Sequence, residues 1–168
     1  VAGFSLKGAE MLARWHHPDF GLLNPSTFID RLISHGLLDD LFLQLFEQGC
    51  ALQQRLQQHE SLISLAYNLD ISQLNSTKLV YQIVDMVKKF NILPQCITLE
   101  ITETGLLAAP AVNMENLIRL RMLGFELAID DFGTGYSSMR YLKQFPISKL
   151  KIDRSFISDL TISRESRL

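Results

Sequence analysis

The sequence has little net charge, few cysteines and no long hydrophobic run, and each shortage excludes a class of protein. The formal net charge is −2 over 168 residues, so the chain lacks the basic field that non-specific binding to long nucleic acids requires. No stretch approaches the roughly 18 consecutive apolar residues of a membrane span. Residues 1–6 carry neither the basic start nor the long apolar region of a signal peptide. A cytoplasmic location is therefore expected, although a longer parent protein could be anchored in a membrane.

Cysteine usage argues against a disulfide framework or a zinc knuckle. Cys50 and Cys96 are the two cysteines, and they lie far apart within apolar stretches. We expect both to be buried thiols in a reducing compartment. The remaining composition, 47% hydrophobic and 20% charged, is typical of one globular domain that can bury a core.

Short apolar runs alternate with segments of helical periodicity. The runs, each short enough for a buried strand, cover residues 8–15, 62–69, 97–102, 126–131 and 149–152. Helical spacing is found at residues 24–36, 37–58, 78–90 and 113–123. Five alternations without a turn-rich hairpin predict parallel β/α units covered by helices.

The helix predicted over residues 37–58 has a clear two-sided pattern. Its apolar stripe is expected to consist of Leu41, Leu45, Leu52 and Leu56. The glutamines are assigned to the opposite, solvated face, and they are Gln53, Gln54, Gln57 and Gln58.

Two architectures fit the alternation, a barrel and a doubly wound sheet. The glycine fingerprint that binds phosphate in dinucleotide folds is absent, because Trp15-His16-His17-Pro18 ends the first run instead. We therefore expect an α/β TIM-like (β/α)8 barrel. A complete eight-stranded barrel typically takes about 250 residues, so this chain is predicted to contain an incomplete one of about five strands with their helices.

Polar side chains fall within or at the ends of the predicted strands, where barrels place their active sites. The residues concerned are Glu10, Asn68, Glu100, Asp130, Asp131, Lys151 and Asp153. A carboxylate within a β-branched run is costly to bury unless it is paired or bound to a metal. Several oxygen ligands at one barrel mouth predict a site for hard divalent cations such as Mg²⁺ or Mn²⁺.

Two adjacent aspartates suggest a reaction class. Asp130 and Asp131 would point to opposite faces of an ideal strand, so they can share a site only where the strand turns into the glycine-containing segment that follows. Two carboxylates at such a turn can hold a pair of cations, as in phosphodiester hydrolysis. Lys151 would orient the attacking water or neutralise the phosphate as a point charge.

These residues, in this order, resemble the EAL family of cyclic di-GMP phosphodiesterases. The resemblance is carried by GAEMLARW at 8–15, NLD at 68–70, LEITE at 99–103, IDDFGTGYSS at 129–138 and LKIDRSF at 150–156. It runs from about residue 3 to residue 160, and the last two segments together are highly specific. Two positions depart from the family pattern. Met11 replaces an alanine and is expected to point towards the covering helices, while Asp70 replaces a serine and is expected to add negative charge near the metals.

The resemblance implies a modified TIM barrel that holds two Mg²⁺ or Mn²⁺ ions and opens cyclic di-GMP to the linear dinucleotide. In the family pattern the metal ligands are Glu10, Asn68, Glu100, Asp130 and Asp131. Glu10 and Asp130 also count as catalytic residues, together with Lys151 at the attacking water.

The resemblance also assigns residues around the metals. Leu12, Arg14 and Asp153 fall at substrate-binding positions, with Arg14 on a ligand phosphate. Glu103 anchors the loop that begins at Asp131, and that loop is implied as a contact in a homodimer. An upstream sensory or GGDEF-type domain is a further expected partner.

The resemblance implies that residues 1–168 form a partial EAL phosphodiesterase domain. The first strand and the last two β/α units of the family lie outside these residues, so the fragment alone is expected to be inactive or nearly so. A non-catalytic module that binds cyclic di-GMP or a protein remains an alternative, above all for the fragment, because an unclosed barrel exposes strand edges.

Overall fold

A computed structural model of the chain describes residues 6–58, 63–133 and 144–154. The strands are β1 (Gly8–Met11), β2 (Trp15–His17), β3 (Gly21–Leu23), β4 (Ser64–Asn68), β5 (Ile97–Thr102), β6 (Glu126–Phe132) and β7 (Lys149–Ile152). The α-helices are α1 (Ile29–Ser34), α2 (Leu38–Gln57), α3 (Lys78–Lys89), α4 (Glu103–Leu107) and α5 (Ala111–Met122). Short 3-10 turns lie at Pro25–Thr27, Ile71–Leu74 and Pro94–Cys96.

The main sheet has five parallel strands in the order β1-β4-β5-β6-β7. Each strand pairs with the next one of this sheet along the chain, without the reversal of order that defines a doubly wound sheet. The sheet is a curled half-barrel with helices in its connections, so the predicted incomplete TIM-like barrel is confirmed.

The two faces of this sheet have different characters because side chains alternate along each strand. The face under the helices is buried and apolar, and it includes Leu65, Tyr67, Leu99, Leu127 and Ile129. The other face, which corresponds to the inside of a barrel, carries small and polar residues such as Ser64, Ala66, Asn68, Thr98, Glu100, Ala128 and Asp130. The core thus lies between sheet and helices, and the polar residues share the opposite face.

The first predicted strand is longer than the observed one, and the expected absence of a hairpin is wrong. Pairing with β4 ends at Met11, and Trp15 begins an antiparallel β2–β3 hairpin. His17 Nδ1 accepts hydrogen bonds from the Asp19 and Phe20 amides in its turn, and Gly21 has a φ of +69°. A tight turn begun by a side chain rather than by a glycine pair gives little sequence signal.

The solvated glutamine face predicted for α2 is also wrong at one position. Gln53 is 3% exposed, and its Nε2 donates to the carbonyls of Ile63 and Cys96, each at 2.9 Å. The buried residues of α2 are Phe42, Phe46, Gly49, Cys50 and Gln53, whereas the predicted leucine stripe is half-buried. The apolar arc of α2 is wide, and its aromatic rings, which have the most area to bury, face the sheet.

The expectations for Met11 and Cys50 are confirmed, whereas the expected burial of Cys96 is only partly met. Met11 packs against the core under the helices. Both cysteines are free thiols, Cys50 buried and Cys96 half-buried. Among the helices in the described ranges, none is long and apolar enough to cross a membrane.

Gly49 allows α2 to approach β4 closely. A Cβ at this position would overlap the Tyr67 hydroxyl oxygen and lie 2.8 Å from Tyr67 Cζ. The Tyr67 ring also lies 4.8 Å from the ring of Phe46, centroid to centroid. The missing side chain at position 49 is therefore what lets a buried tyrosine fit beneath the helix.

We predict that Gly49→Ala lowers the free energy of unfolding by about 1–2 kcal/mol, because overpacking outweighs the helix propensity of alanine. Urea unfolding would measure the change. Tyr67→Phe removes the overlapping oxygen. Gly49→Ala should therefore lower the free energy of unfolding less in a Tyr67→Phe background than in the wild type. Gln48→Ala on the exposed side of α2 is the control, and wild-type stability in Gly49→Ala would contradict the prediction.

Candidate metal centre

Three carboxylates from three strands meet at the carboxyl end of the sheet. Glu10 of β1, Glu100 of β5 and Asp130 of β6 each offer an oxygen, and these oxygens lie within 4.8 Å of one another. Strand register explains the meeting: Asn68 pairs with Glu100 in the sheet, and Asp130 lies two residues beyond Ala128, the partner of Glu100. The three side chains therefore project from the same face.

Lys151 of β7 lies among these carboxylates. Its Nζ is 2.6 Å from Glu100 Oε2, 3.1 Å from Asp130 Oδ1 and 3.6 Å from Glu10 Oε2. The surrounding carboxylates raise the pKa of Lys151 against the opposing effect of its burial. The ammonium is therefore charged at neutral pH and balances part of the negative charge.

Glu100 is the most buried of the three carboxylates, with 4% of its side chain exposed. Burial raises the pKa of Glu100, while the hydrogen bond and the charge of Lys151 oppose this rise. Its neighbours Glu10 and Asp130 raise the pKa further through their charges. A cation near Glu100 is therefore what favours its ionised form.

Asn68 lies next to this carboxylate cluster, which we define as Glu10, Glu100 and Asp130. Its Nδ2 donates to Glu10 Oε1 at 2.7 Å. The same amide, turned about its Cβ–Cγ bond, would present Oδ1 instead. Asn68 can thus hold a carboxylate in place or offer an oxygen to a cation.

Asp131 is placed by an irregularity in β6. The β6–β7 register shifts between Ile129 and Phe132, and Asp131 has a φ of +53°, in the left-handed region. Burial, together with the charges of Asp130 and Asp153, raises the pKa of Asp131. The strand therefore leaves its regular path at the two aspartates, where the sequence predicted a turn. The negative charge of Asp130 acts on Asp131, but Asp131 is not one of the three residues whose oxygens meet.

Glu103, at the start of α4, is 1% exposed. Its Oε2 accepts a hydrogen bond of 2.9 Å from the Gly133 amide, two residues after Asp131. The loop expected at a dimer contact continues through residues 134–143, which lie outside the described residues.

The expected substrate-binding residues are more dispersed. Leu12 is exposed and lines a cavity of about 270 Å³ that also reaches Asn68 and Glu100. The Arg14 guanidinium donates to the Ala13 carbonyl at 2.7 Å and lines a different cavity, next to α1 and α2. Asp153 lies close enough to raise the pKa of Asp131 through its charge. The structure brings Lys151, but not Arg14, to the carboxylate cluster.

A network behind Asn68 was missed by sequence reasoning. Asp70 Oδ1 accepts a hydrogen bond from the Ser72 amide and so caps the 3-10 turn Ile71–Leu74, and Gln73 Oε1 accepts one from the Asp70 amide. Two buried asparagines of α5 donate to carbonyls of that turn, Asn113 to Ile71 and Asn116 to Leu74. The spacing of Asp70 and Gln73 was a readable capping signal, and it gives Asp70 a local structural role.

Comparison with known proteins identifies the family of this chain. The sequence model of the EAL domain matches residues 2–168. The chain belongs to the EAL domain family. The resemblance inferred from the five motifs is thus confirmed over nearly all of the sequence.

Individual relatives support the same placement of this EAL chain. It is 48% identical over 158 residues to the cyclic di-GMP phosphodiesterase RocR of Pseudomonas aeruginosa, covering 94% of this chain and 40% of RocR. Among solved structures it resembles the PaMucR phosphodiesterase in complex with c-di-GMP, with a TM-score of 0.86 and 32% identity, covering 95% of this chain and 65% of that one. The FimX EAL domain of Xanthomonas citri in complex with c-diGMP has a TM-score of 0.85 at 15% identity, covering 96% and 64%, and shows the fold alone.

We predict that Glu103→Ala speeds hydrogen exchange at the Gly133 amide and lowers the free energy of unfolding by about 1–3 kcal/mol, because a buried hydrogen bond is lost. Exchange followed by NMR and chemical unfolding would measure both effects. Glu103→Gln keeps an oxygen acceptor and should retain most of the protection. Glu115→Ala, on the exposed side of α5, is the control. Unchanged exchange at Gly133 in Glu103→Ala would show that this hydrogen bond does not hold the loop.

Proposed function

We propose that the EAL domain to which these residues belong hydrolyses cyclic di-GMP to the linear dinucleotide with the help of divalent cations. The observation that carries the proposal is the convergence of Glu10, Glu100 and Asp130 on one point at the carboxyl end of a barrel-like sheet. The names of RocR and of the PaMucR complex agree with this substrate.

The donor set fits Mg²⁺ or Mn²⁺, which prefer oxygen ligands. The carboxylate cluster supplies oxygens from three strands, Asn68 can add an amide oxygen, and Asp131 lies close by. We propose that these five residues hold two ions. When bound, the ions supply positive charge that activates water and stabilises the attacking and leaving oxygens of a phosphodiester.

The side chains of this chain have separate parts in the reaction. The oxygen of the attacking water forms a bond to phosphorus, the bond from phosphorus to one ribose oxygen breaks, and the water proton ends on solvent or on the leaving oxygen. Lys151, whose ammonium is at the site, places a positive charge beside the phosphate. Glu10 and Asp130 fix the position of the attack from opposite sides of Glu100.

Substrate contacts outside the cluster complete the proposal. We assign Leu12 to an apolar contact with the dinucleotide, beside the cavity that it shares with Asn68. Asp153 is assigned to a polar contact. Arg14 would reach a ligand phosphate only after leaving the Ala13 carbonyl.

We further propose that this chain is part of a longer domain. Its described sheet has five strands, with β1 and β7 at the two edges, and eight strands close a barrel of this type. We also propose that the loop after Asp131 forms a homodimer contact and that a sensory or GGDEF-type domain is attached.

We predict that the full-length protein converts cyclic di-GMP to the linear dinucleotide with Mg²⁺ or Mn²⁺, whereas residues 1–168 alone are nearly inactive. Chromatography of reaction mixtures with and without EDTA would follow the product. Turnover by the isolated chain would contradict the second part. Binding of cyclic di-GMP by the full-length protein without turnover would instead support the non-catalytic alternative.

We predict that Asp130→Asn in the full-length protein lowers turnover by at least about 100-fold, because a neutral amide cannot match a carboxylate as a ligand for a divalent cation. Asp85→Asn, an equivalent change on the exposed face of α3, should leave the rate unchanged. Thermal unfolding of both variants would exclude misfolding as the cause. Wild-type turnover in a folded Asp130→Asn protein would remove the basis for a metal site at the cluster.

A further inference from the structure

The Lys151 ammonium contacts an oxygen of every member of the carboxylate cluster. The three distances are 2.6 Å to Glu100, 3.1 Å to Asp130 and 3.6 Å to Glu10. An ammonium has three hydrogens to donate and no acceptor. The ammonium therefore lies among the same oxygens that would ligate a divalent cation.

An ion and this ammonium cannot use these oxygens together. Mg²⁺ binds oxygen at roughly 2.0–2.1 Å, and oxygens within 4.8 Å of one another leave room for one cation at their centre. Two positive charges that close would also repel each other. Binding of an ion at the cluster therefore requires Lys151 to move.

The Lys151 side chain has room to move away from the carboxylates. Its side chain is 37% exposed, whereas that of Glu100 is 4% exposed. It lies within β7 on a flexible four-carbon stem, and β7 is an edge strand of the described sheet. The Glu100 carboxylate is enclosed in the sheet, whereas the end of the Lys151 side chain has solvent beside it into which it can swing.

We propose that Lys151 is a tethered cation that fills the ion site of the metal-free protein and is displaced when a divalent cation binds. The inference rests on the proposed metal-dependent hydrolysis. In the metal-free state Lys151 supplies a counter-charge to the buried carboxylate of Glu100. Once displaced, the same ammonium is free to contact a phosphate, so that ion binding and readiness for substrate are coupled.

The test is a titration of the full chain with Mn²⁺ alone, in which free Mn²⁺ is followed by its electron paramagnetic resonance signal. Lys151→Met should bind Mn²⁺ about tenfold more tightly than the wild type or better, because the competing charge is gone. Without metal, the same variant should unfold at a lower temperature, and saturating Mn²⁺ should recover more stability in it than in the wild type.

Lys149→Met is the matched control. Lys149 lies two residues earlier on β7, and its Nζ donates to Thr98 Oγ1 rather than to the cluster. This variant should bind Mn²⁺ as the wild type does. Equal or weaker Mn²⁺ binding by Lys151→Met than by the wild type would overturn the inference, since Lys151 would then support the ion instead of competing with it.

A measurement on the wild type keeps the inference testable if Lys151→Met does not fold. The Lys151 ammonium resonance, assigned by its loss in Lys151→Arg, should be protected from exchange without metal and should lose this protection on addition of Mg²⁺. Persistent protection at saturating Mg²⁺, or no binding of either ion, overturns the inference. Neither titration contains nucleotide, so an absence of hydrolysis would bear on the proposed function and not on the displacement of Lys151.

Discussion

Carboxylates on the inside of a half-barrel must be matched by positive charge, and the arrangement of this molecule follows from that requirement. The described face away from the helices is lined largely by small and polar residues, and Glu10, Glu100 and Asp130 meet there. Glu100 is nearly inaccessible to solvent. An unpaired buried charge costs several kcal/mol, which is comparable with the whole free energy of unfolding of a domain. Lys151 supplies the counter-charge from β7. Strand β7 is thus joined to the rest of the sheet by ion pairs as well as by backbone hydrogen bonds.

The same requirement explains the irregular end of β6. A regular strand would direct Asp131 away from Asp130, whereas the shift in register and the left-handed backbone at Asp131 occur where its carboxyl is still within the electrostatic influence of Asp130. A non-glycine residue in this conformation costs roughly 1 kcal/mol or more. Glu103 holds the chain just beyond it by accepting a hydrogen bond from Gly133. The hydrogen bond to the buried Glu103 therefore helps to stabilise the strained backbone at Asp131.

How much of this could be predicted from the sequence depends on whether the signal was local. The strand and helix alternation and the polar residues at strand ends are local patterns, and they predicted the barrel and the meeting of carboxylates. The burial of Gln53 could not be predicted, because its partners, Ile63 and Cys96, are distant in sequence. The position of Arg14, turned to the Ala13 carbonyl, depends on how the chain leaves β1. Contacts between side chains distant in sequence, such as that of Lys151 with Glu100, set the details of the site.

The distribution of charge also bears on the choice between hydrolysis and simple binding. A site that only bound an anionic dinucleotide would gain from lysines and arginines at the phosphates and would lose from each nearby carboxylate. Here Glu10, Glu100 and Asp130 surround one ammonium, and Asp131 lies beside them. Such a surplus of negative charge opposes an anionic ligand unless cations come between the two. The cations that make binding favourable are the same ones that phosphodiester hydrolysis uses, so the arrangement that is unfavourable for a bare binding module is the one that supports the proposed phosphodiesterase.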